Sequence, residues 1–136
     1  MNNKKLLAIA LPVLIVSIIL IVYCVLLTRV NKVSDLVNLD SVNKVVLMDG
    51  SNGNYTDVND EKEMDAIIKS LDKLELKRYH GEDSTGWVFA IILKTNNSEY
   101  KITFQGVERC VDDNGNEYII KNADDNLKNL SESYLN

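Results

Sequence analysis

Residues 87–95 read WVFAIILKT and are apolar on both alternating faces. In an extended chain successive side chains point to opposite sides. Trp87, Phe89, Ile91 and Leu93 then share one face, and Val88, Ala90 and Ile92 the other. A strand of this kind belongs in the middle of a sheet with both surfaces covered. Trp87 is read as an anchor of the core, and the alternative is an exposed aromatic surface shared with Tyr79.

The segments on either side extend the sheet. Leu74–His80 reads as a strand, followed by a turn at Gly81–Gly86 (GEDSTG). Asn96-Asn97 marks a hairpin turn. Beyond it Tyr100, Ile102 and Phe104 alternate with Lys101, Thr103 and Gln105, the pattern of a strand with one wet face. Val107–Val111 and Glu117–Lys121 pair across Asp113-Asn114-Gly115-Asn116, because Asn-Gly between strands supplies the positive φ of a tight hairpin. Upstream, Val42–Met48 (VNKVVLM) is rich in β-branched residues and reads as a strand, and Asp49–Asp57 (DGSNGNYTD) reads as a loop.

Two helices complete the pattern. One begins at Asn59 or Asp60, where Asp60 and Glu63 fit a capping box. Met64, Ile67, Ile68 and Leu71 recur at helical spacing and form one apolar stripe, opposite Lys62, Asp65, Lys69 and Lys73. Ala123, Leu127, Leu130 and Tyr134 form a second stripe near the C-terminus. The order β-α-β-β-β-β-β-α over residues 42–136 predicts an α+β domain, with a mainly antiparallel sheet and two packing helices.

A different chemistry governs the N-terminus. Leu6–Leu27 (LLAIALPVLIVSIILIVYCVLL) contains no charged residue. About 22 residues at roughly 1.5 Å each span ~33 Å, enough for a ~30 Å hydrocarbon core. Pro12 is tolerated near the start of such a helix. Lys4 and Lys5 form a positive flank like that of a secretory signal, but the residues after the apolar run fit a cleavage site poorly, and Tyr23 stands where a lipoprotein signal wants a small residue before Cys24. The segment is therefore read as an uncleaved signal anchor. Residues 1–5 are expected in the cytoplasm, 6–27 in the bilayer, 28–41 as a spacer or continuing helix, and 42–136 as the extracytoplasmic domain. Arg29 and Lys32 also flank the span, so orientation rests on the export-like start more than on charge.

After Lys32 the chain carries all twenty acidic residues and eleven of the fifteen basic ones. This balance argues against nucleic acid, which demands a basic surface, and against tight adsorption to anionic lipid. The expected partners are the lipid bilayer, through Leu6–Leu27, and a protein or cationic peptide. Cys24 and Cys110 are the two cysteines, one in the apolar run and one in the domain, so no disulfide is expected.

Each cluster of chemically capable residues also has a structural reading. Asp112, Asn114, Asn116 and Glu117 are the candidate calcium ligands, but their spacing departs from an EF-type loop, and a hairpin turn accounts for the same residues. Asp49, Asn52, Asn54 and Asp57 form a second oxygen-rich loop that reads the same way. His80, the one histidine, lies beside Glu82, Asp83 and Ser84, with no nucleophile elbow or oxyanion loop near it. Cys110 beside Arg109 is a reactive thiol or, more simply, a small buried hydrophobe. No cofactor motif is present, and the chain is expected not to be an enzyme.

The Val45-Val46-Leu47 strand, the Asp60–Leu71 helix, Tyr100–Phe104, and Gly115 followed by Tyr118-Ile119-Ile120 and a final helix resemble small exported domains of Gram-positive bacteria, of the kind called YhfM-like lipoprotein domains. The resemblance covers roughly residues 42–135 and implies no established activity. Those domains usually carry a lipobox cysteine, and Tyr23 departs from it. The reading that follows is a membrane-anchored, non-enzymatic extracytoplasmic binding module. The alternatives are a bacteriocin immunity-type protein or an accessory subunit of an envelope complex.

Overall fold

The computed structural model describes residues 3–28, 30–82, 86–123 and 125–135. Helix α1 (Asn3–Thr28) is followed by strand β1 (Val30–Lys32) and two short 3₁₀ turns at Val33–Asp35 and Leu39–Ser41. Then come β2 (Lys44–Asp49), β3 (Tyr55–Val58), α2 (Glu61–Asp72), β4 (Glu75–Arg78), β5 (Phe89–Lys94), β6 (Glu99–Phe104), β7 (Arg109–Val111), β8 (Glu117–Ile120) and α3 (Asp125–Leu135). The architecture is an apolar N-terminal helix and an α+β domain.

The eight strands of the described residues join one antiparallel sheet in the order β1-β4-β8-β7-β6-β5-β2-β3. Strand β5 lies between β6 and β2, with Ile91 opposite both Leu47 and Ile102. Its interior position is the one that the apolar run demands. Phe89, Ile91 and Leu93 face a core that they share with Val45, Leu47, Ile102, Phe104, Leu76 and Ile120. Helix α2 adds Ile67 and Leu71 to this core, and α3 adds Leu127. Phe89 stacks on Phe104 with ring centres 4.6 Å apart. Both helices therefore cover the same face of the sheet.

The opposite face departs from the expectation of two covered surfaces. Val46, Ala90 and Ile92 are buried there, but they lie outside the main core, and no helix crosses that face among the described residues. Register places Lys101 beside Ile92, and Met48 beside Ala90.

Local chemistry fixes the ends of the elements. Asp60 caps α2, its carboxylate accepting from the N–H groups of Lys62 (2.9 Å) and Glu63 (3.1 Å). The β5–β6 hairpin closes through Thr95, whose N–H donates to the Ser98 carbonyl (2.9 Å), while its hydroxyl oxygen accepts from the Ser98 N–H (3.0 Å). At the end of β2, Gly50 passes so close to the residues before β5 that a Cβ there would lie 2.6 Å from the carbonyl oxygens of Trp87 and Val88.

Three expectations need correction. Residues 30–41 are not a spacer, because β1 pairs with β4 and Val33 and Leu39 are buried in the core. The loop at residues 49–57 contains the start of β3, which pairs with β2, so the sheet has two more strands than the sequence pattern indicated. Trp87 is not a core anchor: β5 begins two residues later, and the indole is 36% exposed.

Helix α1 includes the whole of Leu6–Leu27. Over Asn3–Leu26 it is long and apolar enough to cross a membrane, and its described side chains are exposed. Ser17 donates its hydroxyl to the Val13 carbonyl (2.8 Å), which satisfies a polar group inside the apolar run.

Candidate functional site

Among the described residues, a groove of about 590 Å³ lies between the two 3₁₀ turns and α2. Its walls come from residues 34–42 on one side and residues 65–72 on the other. Leu39 and Val42 form an apolar floor that is nearly closed to solvent, and Ile68 adds to it from the α2 stripe. Asp40, Asp65 and Asp72 stand around it with one cation, Lys69. Helical spacing explains the α2 wall, since residues 65, 68, 69 and 72 fall on adjacent turns of one side. The 3₁₀ wall is held by its own hydrogen bonds: Asn38 accepts from the Asp40 N–H (3.2 Å), and Ser41 donates to the Asn38 carbonyl (2.8 Å). The groove combines an apolar base with excess negative charge.

No single sequence-level candidate pointed to this groove. Its two walls lie about thirty residues apart, and residues 34–42 lack the period of a helix or strand. The stripe of α2 was the one available signal, because Ile68 lies at its edge.

The candidate calcium ligands are not brought together. Asp112 is buried, and its carboxylate is engaged in the β7–β8 hairpin. Its Oδ1 accepts from the N–H groups of Asn114 (2.9 Å) and Asn116 (2.8 Å), and its Oδ2 from the Asn116 amide (2.9 Å) and the Tyr118 hydroxyl (3.2 Å). Asn114 is exposed at the tip. Glu117 pairs with Val111 on the opposite face of the sheet, so its carboxylate points away from Asp112. Asn116 accepts from Arg78, whose guanidinium also lies over the Tyr118 ring at 5.8 Å. Gly115 holds the turn with φ +80°.

The other candidates separate too. Asp49 accepts from the Ser51 N–H (2.8 Å), which holds its carboxyl below the usual carboxylate range. Asn52 accepts from the Asn54 N–H (2.8 Å), and Asp57 forms an ion pair with Lys44 (2.7 Å). His80 and Glu82 are exposed, while Asp83 and Ser84 lie outside the described residues. Cys110 is buried in the core, and burial, with Asp112 adding, pushes its thiol up to about 12. Arg109 does not activate it: neighbours on a strand point to opposite faces, and the Arg109 guanidinium lies 4.2 Å from the Tyr79 ring centre. The phenols of Tyr100 and Tyr118 are also raised, chiefly by burial and then by Asp112. Buried charge around Asp112 therefore has a structural use, organising the hairpin.

The fold has a counterpart among solved structures. It is similar to a crystal structure described as "Putative Lipoprotein from Clostridium perfringens", with a TM-score of 0.55 and 19% identity, over 76% of this chain and 93% of that one. At this identity the likeness concerns the fold. No family model matches the chain, and no curated protein matches it.

Proposed function

We propose that the chain is a single-pass, membrane-anchored binding module without catalytic activity, its domain outside the cytoplasm. The observation that carries the binding role is the groove between residues 34–42 and α2, with its apolar floor and carboxylate rim. The apolar helix α1 supports the anchor, as an uncleaved signal anchor of a Gram-positive cell. Fold likeness to a chain described as a lipoprotein agrees with an exported domain, and membership of the YhfM-like group belongs to the same proposal. The non-enzymatic reading is supported by where the reactive groups are: Asp112 is committed to its hairpin and Cys110 to the core.

One further reading is favoured by a specific feature. Asp40, Asp65 and Asp72 around Leu39 and Ile68 suit a cationic amphipathic peptide, as an immunity-type protein at the cell surface requires. Calorimetric titration of the full chain in micelles with a cationic amphipathic peptide tests both. Saturable binding is expected, weakened at least tenfold in an Asp40→Asn/Asp65→Asn/Asp72→Asn variant. Binding unchanged in that variant excludes the groove. Turnover of any substrate by the full chain in a broad hydrolase screen overturns the non-enzymatic reading, and unchanged peptide sensitivity on gene deletion counts against immunity.

A further inference from the structure

The face of the sheet that carries no helix has a charge balance unlike the chain as a whole. Paired residues of an antiparallel sheet point to the same side. The register therefore gathers Lys32, Lys44, Lys77, Lys94, Lys101 and Arg109 on the face that holds Val46 and Ile92. Four acidic residues share that face: Asp57, Glu75, Glu99 and Glu117. Six basic to four acidic reverses the balance of the sequence from Lys32 onward, which is twelve basic to twenty acidic. Two of the lysines are taken up by ion pairs, Lys44 with Asp57 (2.7 Å) and Lys94 with Glu99 (3.0 Å). The face also leaves apolar groups within reach of solvent: Tyr55 is 65% exposed, and Met48, Val111 and Ile119 are half-buried.

A second observation says what lies nearby. Helix α1 ends at Thr28 and β1 begins at Val30, so one residue, Arg29, stands between the apolar helix and the sheet. Two Cα steps reach at most ~7.6 Å. A domain on so short a tether stays at the bilayer surface, and its edge strand β1 is the part nearest to it. Eight strands at ~4.8 Å spacing make a sheet ~34 Å wide, which can lie along that surface.

We infer that the helix-free face of the sheet lies against the headgroups of an anionic bilayer, turning α2, α3 and the acid-rimmed groove outward. The inference rests on the anchored reading above. Charge complementarity selects the face. Negative lipid attracts Lys32, Lys77, Lys101 and Arg109 and repels the helix side, where α2 carries Glu61, Glu63, Asp65 and Asp72 against Lys62 and Lys69. Net charge had argued against adsorption because it averages over two unlike faces.

The test uses the full chain with Cys24→Ser, reconstituted in phosphatidylcholine vesicles with 30 mol% phosphatidylglycerol. Single cysteines at Thr103 (helix-free face) and at Asp65 (α2) carry a fluorophore, read with a headgroup-attached quencher. Cys110 is buried and remains unlabelled in the folded chain. Quenching at Thr103→Cys is expected to exceed that at Asp65→Cys at least threefold. It should fall by half or more in 0.5 M salt, in neutral vesicles, or with Lys77→Glu/Lys101→Glu. Equal quenching at the two sites, greater quenching at Asp65→Cys, or no response to salt and charge reversal overturns the inference while leaving the anchor intact. Release of the chain from vesicles by alkaline carbonate overturns the anchor, and this inference with it.

Discussion

The two faces of the sheet are built from the same strands yet are held by different means. On the helix-covered face Leu47, Ile91, Leu93, Ile102 and Phe104 are each under 2% exposed, closed off by α2 and α3. On the other, Val46, Ala90 and Ile92 are also buried, yet no helix of the described residues joins them in the core, and their register neighbours include Lys101 and Met48. Burial alone therefore does not identify a second packing layer. At the centre of a wide sheet, an apolar residue can be sealed by the stems of charged neighbours, whose heads stay in water.

This contrast is sharpest under large-to-small substitution. Phe104→Ala should cost about 3–5 kcal/mol, since it removes a fully buried ring stacked on Phe89, whereas Ile119→Ala on the open face should cost below about 1 kcal/mol. Chemical denaturation of the full chain in micelles measures both, and comparable losses would erase the distinction. Asp112→Ala should follow, at about 2–3 kcal/mol, because it strands the N–H groups of Asn114 and Asn116 and the Tyr118 hydroxyl. If added calcium restored the stability of the native chain but not of this variant, Asp112 would have to be a ligand after all.

The core face also carries a pH dependence. The Cys110 thiol is raised from 9.0 to about 12 in the folded chain, so between these values the unfolded chain loses its proton first. Stability is then unaffected by this group below about pH 9 and falls as pH rises above it. The loss is about 1.4 kcal/mol by pH 10, one pKa unit's worth. Denaturation midpoints at pH 8 and pH 10 should show a fall in the native chain and a smaller one in Cys110→Ala. Smaller still is the helix cap: Asp60→Ala should lose about 1 kcal/mol, measured in the same way. The least effect is expected from Lys44→Ala, below about 0.5 kcal/mol, because its ion pair with Asp57 is about half-exposed. A loss above 1 kcal/mol there would mean that the lysine stem seals Val46 more tightly than inferred.

The sequence makes the centre of this fold plain and its margins obscure. The alternation of Phe89–Leu93, the α2 stripe and the Asn-Gly hairpin are readable because each uses a strong period or an unambiguous turn residue. Strand β1 is three residues, VNK, directly after an apolar helix, and three residues show no period. Strand β3 was hidden by the Gly- and Asn-rich stretch before it, although Tyr55, Thr56 and Val58 are good strand formers. Val33 and Leu39 enter the core from 3₁₀ turns, where no regular spacing announces burial. The candidate groove inherits that obscurity, since one of its walls is this irregular segment. Trp87 reads as a core anchor because an aromatic ring at the head of an apolar run favours burial, whereas the strand that would bury it starts at Phe89.

The joint between α1 and β1 also has a mechanical meaning. If α1 is anchored as proposed, any pull between membrane and domain is delivered to an edge strand that pairs with β4 through Val30–Lys77, Asn31–Leu76 and Lys32–Glu75. A load on the domain meets this ladder before it meets the core. On that reading, loss of the three β1–β4 pairs would lengthen the tether while β2 to β8 keep their own pairings.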